Sequence, residues 1–106
     1  MRAILIDPLA TPAISEIEVK GHLEEIQKII GGYLAPIKIS STEVLFVDEE
    51  WLIKDKSKRF GGAFRIGDHG LGGKGIIFGV KNGDHCSTKL GLLEVSSMIT
   101  TSNKPA

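Results

Sequence analysis

Between the apolar run IIFGVK and the polar DHCST the chain reads Asn82-Gly83, and this pair restricts the backbone more tightly than any other local signal in it. Both central positions of a two-residue type I′ turn need positive φ, which asparagine tolerates and glycine adopts freely, so the pair specifies an antiparallel hairpin. Its register sets Lys81 opposite Asp84, a cross-strand pair worth about 0.2 to 1 kcal/mol. The chain is thereby committed to at least one antiparallel ladder.

The remaining apolar segments are short and mostly of strand type. Ala3 to Ile6 is an apolar run stopped by Asp7-Pro8, where proline has no amide to give to a ladder. In AISEIEVK, Ile17 and Val19 alternate with Glu16 and Glu18, the pattern of a strand with one solvated face. YLAPIKIS and EVLFVDE read as two further strands joined by a tight turn at Ser40 to Thr42. Val44, Leu45, Phe46 and Val47 are apolar on both faces, which predicts the central strand of the sheet. Only residues 22–30 carry a strong helical period: Leu23, Ile26 and Ile30 fall on one stripe, and Gly31-Gly32 ends it. GLLEVSSMIT, with Leu92, Val95 and Ile99 at helical spacing, predicts a short C-terminal helix. The expectation is one α+β domain over residues 1–100, with a small, mainly antiparallel sheet, one principal helix packed on it, and a flexible tail at 101–106.

A chain of 106 residues suits one modest core. Its single cysteine, Cys86, cannot close an intrachain disulfide, so stability must come from packing. No apolar run approaches the roughly 20 residues of a membrane span, and the start MRAILIDP is charged too soon for a secretory signal, which together predict a cytoplasmic protein. The zero net charge conceals segregation: residues 1–53 carry four Lys/Arg against nine Asp/Glu, and residues 54–106 carry nine against four. The basic share concentrates in KDKSKRF, where Lys54, Lys56 and Lys58 follow Trp51, a combination that suits a protein partner: an aromatic anchor beside a charged stretch. Nucleic acid is disfavoured, because the total charge is neutral and no aromatics are interleaved with the basic residues.

GDHGLGGKG, residues 67–75, is the one stretch with the composition of a ligand loop. Gly70 to Gly75 matches the letters of the dinucleotide fingerprint, yet these glycines precede a strand where the fingerprint must follow one and open a helix. A P-loop fails as well, since Asp68 stands at its first position and Gly75 where a hydroxyl must ligate magnesium. Residues 49–75 as a whole read as a long irregular connection with one short strand in it, and two readings stay open for its glycine-rich end: a mobile loop, or an anion site in which the amides of Gly70, Gly72, Gly73 and Gly75 act with Lys74, Arg65 and Arg59. Gly-Asp-His occurs twice, at Gly67-Asp68-His69 and Gly83-Asp84-His85, with Cys86 adjoining the second. An intervening strand holds the two about 20 Å apart, so no metal site and no cofactor is expected. No nucleophile stands in a motif with a base.

MRAILIDP, ISEIEVKGHLEEIQKIIGG, EVLFVDEEWL and GKGIIFGV, in that order along nearly the whole chain, resemble the small proteins of phages and mobile elements grouped as a domain of unknown function. The resemblance implies a mixed α and β domain of phage or prophage origin, active in the cytoplasm of the bacterial host, and carries no functional residue with it. For such a protein the favoured expectation is a non-enzymatic module that binds a host protein, for example a defence component, with Trp51, Lys54, Lys56 and Lys58 as contacts. The alternative is a binder of a nucleotide or other phosphorylated small molecule through residues 65–75. Self-association is compatible with either.

Overall fold

The structure is a computed structural model that describes residues 1–50 and 62–102, so the expectations placed on Trp51, Lys54, Lys56, Lys58 and Arg59 lie outside the described residues. In chain order the elements are β1 (Arg2–Ile6), β2 (Ile14–Glu18), α1 (Leu23–Ile30), β3 (Leu34–Lys38), β4 (Glu43–Asp48), β5 (Ala63–Ile66), β6 (His69–Gly72), β7 (Gly75–Lys81), β8 (Asp84–Cys86), α2 (Leu92–Met98) and β9 (Ile99–Ser102). The larger sheet runs β2-β1-β7-β4-β3, with β8 paired to the far end of β7, and a smaller sheet runs β6-β5-β9. Every pairing is antiparallel, and the fold is α+β.

Strand alternation explains how one sheet carries two cores. Along β1, Ala3 points to one face and Ile4 and Ile6 to the other, and β4 divides Phe46 from Leu45 and Val47 in the same way. On one face α1 lays Ile26 and Ile30 against Ala3, Val19, Phe46, Ile76 and Phe78. On the opposite face the small sheet and α2 bring Phe64, Ile66, Leu71 and Val95 onto Ile4, Ile6, Leu45, Val47 and Ile77. The result is three layers, with the larger sheet in the middle. Each fully buried aliphatic or aromatic side chain contributes about 1.5 to 3 kcal/mol of transfer free energy.

The hairpin at Asn82-Gly83 forms with φ of 53° and 81°, and Lys81 lies opposite Asp84. α1 ends where glycine permits it: Gly31 sits at φ 89°, and its amide donates to the Gln27 carbonyl at 2.7 Å. At the other end the Glu25 carboxylate accepts the amides of Lys20 (2.9 Å) and Gly21 (3.1 Å), tying down the approach to the helix.

Three expectations are corrected. β4 is an interior strand, but the centre is β7, which pairs β1, β4 and β8. β7 is buried over nearly its whole length because it is covered on both faces, a position that its interrupting glycines disguise in the sequence. The connection between β4 and β7 contains a complete hairpin, β5-β6, where an irregular loop with one strand was expected. The C-terminal helix stops at Met98, and Ile99 opens β9, which continues through Thr101 and Ser102, residues expected to belong to the tail. β9 pairs β5, its residues 33 to 39 positions from their partners in the chain, which no local signal announces.

A buried polar network fixes the segment leading into α2. Glu43 is 3% exposed. Its carboxylate accepts the Thr88 hydroxyl and the Lys89 amide, and Arg2 donates to the carbonyls of Thr88 (3.1 Å) and Leu90 (2.7 Å) while pairing with Glu16 at 2.6 Å. No described buried side-chain nitrogen or oxygen lacks a hydrogen-bond partner, as the cost of an unpaired polar group in a core requires.

Candidate functional site

The glycine-rich stretch is folded into sheet. Gly67, at φ 56°, and Asp68 make the turn between β5 and β6, and Gly70 and Gly72 lie in β6 opposite Arg65 and Ala63. Gly73 donates its amide to the Gly62 carbonyl at 3.0 Å, and Gly75 pairs with Ile6 on one side and Val47 on the other. An anion nest needs successive amides aimed at one point. A strand turns successive amides to opposite edges. Gly75 has a packing reason for being glycine: an added Cβ would lie 2.9 Å from Cζ of Phe64 and 3.0 Å from Cδ1 of Leu45. Of the residues expected to hold an anion, Arg65 and Gly70 share the exposed outer face of the small sheet, Gly72, Gly73 and Gly75 are buried, and Lys74 is half-buried in the β6-β7 turn.

The two Gly-Asp-His repeats also stay apart, one at the β5-β6 turn of the small sheet and one in the β7-β8 hairpin of the larger. His85 lies against the aromatic core, stacked on Phe78 with centroids 5.9 Å apart and edge-on to Phe46 at 5.2 Å. No group of three or more metal-ligating side chains comes together among the described residues, and no helix among them is long and apolar enough to cross a membrane.

What the stretch does build is one wall of a groove. Residues 66–69 face Ile37, Lys38 and Ile39, at the end of β3 and just beyond, and Met98 from the end of α2 completes the lining around about 510 Å³. Ile37, Ile39 and Met98 pack partly buried against the core that contains Ile66, so the floor is apolar. Lys38, Asp68 and His69 are exposed around it. The rim therefore offers an ammonium, a carboxylate and an imidazole, over a floor that gains by excluding water. Asp68 and His69 stood out in the sequence as part of the repeated Gly-Asp-His. Lys38, Ile37, Ile39 and Met98 were not candidates, because only tertiary packing sets the β3-β4 hairpin beside the β5-β6 turn and the end of α2.

No curated protein and no solved structure matches the chain. A protein family does: the pattern described as Domain of unknown function (DUF3846) matches residues 1–96, from β1 into α2. With that match running across the three hairpins of the larger sheet, both faces of its core and the groove except Met98, the chain belongs to the DUF3846 family, a domain of unknown function.

Proposed function

We propose that the protein is a non-enzymatic accessory protein of a phage or prophage that acts in the bacterial cytoplasm by binding a host protein, a defence component being the kind of partner that suits it. The groove between the β3-β4 hairpin and the β5-β6 turn carries this reading. Its apolar floor ringed by Lys38, Asp68 and His69 has the anatomy of a protein interface, a dry centre inside a polar rim. Lys38 ends β3, His69 opens β6 and Asp68 lies in the turn before it, so the rim is held by sheet, which supplies rigid contacts at little entropic cost.

The test is a quantitative affinity capture from host lysate with the wild-type chain and with the double variant Lys38→Glu, His69→Glu. A specific partner should be recovered by the wild type and at least tenfold less by the variant, at unchanged melting temperature. Equal recovery by both, or no specific partner, overturns the reading.

The groove also favours a second reading, a phosphorylated small molecule, because about 510 Å³ lies within the range of ligand pockets, ~300 to 1,000 Å³. Lys38 and His69 would then meet the phosphate, with Lys74 or Arg65 contributing only if the ligand reaches beyond the groove. A panel of mono-, di- and cyclic nucleotides separates the readings. Occupancy at a hundredfold excess over Kd stabilises by about 2.7 kcal/mol, a shift of many degrees in a domain of this size. The protein-binding reading expects no shift, and a Lys38-dependent one would replace it.

A further inference from the structure

At the opposite face of the larger sheet, α1 ends beside an open groove of about 490 Å³ lined in part by Glu24, Lys28, Gly31, Tyr33 and Glu50. Tyr33 is 65% exposed, an unusual position for a large ring in a domain with few aromatics. Its backbone is nonetheless fixed. The Tyr33 carbonyl accepts the Glu49 amide at 2.8 Å, and the Glu50 amide donates to Oδ1 of Asp48 at 2.9 Å, so the acidic turn after β4 is fastened beside the ring. Gly32 permits that approach, because a Cβ there would lie 2.9 Å from the same Oδ1.

Among the described residues the electrostatics of the groove are one-sided. The C-terminal carbonyl end of α1, which faces it at Gly31, carries partial negative charge. Among the described residues, the carboxylates of Glu24 and Glu50 enter no ion pair and no side-chain hydrogen bond. Among the described residues Lys28 is the single basic residue of the lining, and it is exposed and forms no ion pair with Glu24. Two unpaired carboxylates, a helix C-terminus and an open aromatic face thus stand against one ammonium. An aromatic face in a negative field attracts cations, and a planar guanidinium matches both, stacking on the ring while its edge donates to a carboxylate.

We propose that this groove docks an arginine side chain of a protein partner, stacked on Tyr33 and paired with Glu50 or Glu24. The proposal extends the reading of the protein as a protein binder, but stands on a different surface. Its test therefore uses a defined peptide, so that failure here leaves the first groove untouched and the reverse.

The full chain, labelled with ¹⁵N, is titrated with the blocked peptide Gly-Arg-Gly-Arg-Gly and with the same peptide carrying citrulline, which keeps the shape and removes the charge. The arginine peptide should give saturable shifts centred on Gly31, Gly32 and Tyr33, weakened by added salt, and the citrulline peptide none. Tyr33→Ala should lower the affinity about fivefold, in the range of an exposed cation–π contact. Glu50→Gln should lower it by about threefold, in the range of an exposed ion pair. Both positions are exposed, and an unchanged melting temperature establishes that the variants are folded. Equal binding of the citrulline peptide, shifts confined to other residues, no saturable shift, or Tyr33→Ala binding as tightly as wild type each overturns the proposal.

Discussion

Two glycines that look alike in the sequence do different physical work. Gly79 lies in β7 opposite Glu43, and the chain of Cys86 and Ser87 crosses directly over it: a methyl group there would strike the Ser87 carbonyl and lie 3.0 Å from Sγ of Cys86. Gly70 has nothing within 4 Å of the same position. Gly79→Ala should therefore cost about 1 to 3 kcal/mol by overpacking, whereas Gly70→Ala should be neutral or slightly stabilising through the unfolded chain. Urea unfolding of the two variants checks the contrast, and equal effects would show that the crossing segment yields. The close approach at Gly79 also lets Thr88 reach Glu43. Thr88→Val leaves that buried carboxylate with the Lys89 amide at 3.3 Å as its remaining donor, and should lower stability by about 1 to 3 kcal/mol, the cost of stranding a buried acceptor.

Among the elements, β3 shows how an edge strand is kept from pairing with other chains. The Ile39 amide donates to the Glu43 carbonyl at 3.1 Å, so Ile37 and Ala35, which share its parity, bond inward to β4, and Pro36 turns its nitrogen outward. Proline has no hydrogen to offer there, and Lys38, next in the outward series, adds charge. Pro36→Val restores the missing donor. Such a variant should remain folded yet sediment at a higher average mass than wild type at equal concentration, and a monodisperse profile identical to wild type would contradict this account of the edge. The span of α1 was legible because its apolar residues, its acidic first turn and its glycine stop all lie within ten residues, but of the expected stripe only Ile26 and Ile30 are buried and Leu23 stands exposed. The β5-β6 hairpin was not. Its turn is Gly67-Asp68, the reverse of the usual Asp-Gly order, and its strands are four residues each, too short and too rich in glycine for period-two alternation to stand out.

For the whole molecule the middle sheet couples the two cores, since β1, β4 and β7 each send side chains into both. Phe78 is buried under α1 and Phe64 under the small sheet. Phe78→Leu and Phe64→Leu should each lower the melting temperature by several degrees while leaving a single unfolding transition, because removing either layer exposes the sheet that the other needs. Calorimetry decides it: a second, separate transition in the Phe64 variant would mean that the small sheet and α2 unfold independently.

The local order of the chain was enough to determine the α+β class, the Asn82-Gly83 hairpin and its register, the β3-β4 turn and the span of α1. Each rests on residues close enough in sequence for sterics and periodicity to act without help from the rest of the molecule. Tertiary structure alone decided that β7 is the centre, that a second sheet forms from the glycine-rich stretch and Ile99–Ser102, and that residues 66–69 meet Ile37, Ile39 and Met98 in a groove. The physical reason is that long-range strand pairing and the facing of turns are governed by how two separate apolar faces are covered at once. Glycine, with no side chain to reveal which face it belongs to, leaves that choice to the partners that close over it.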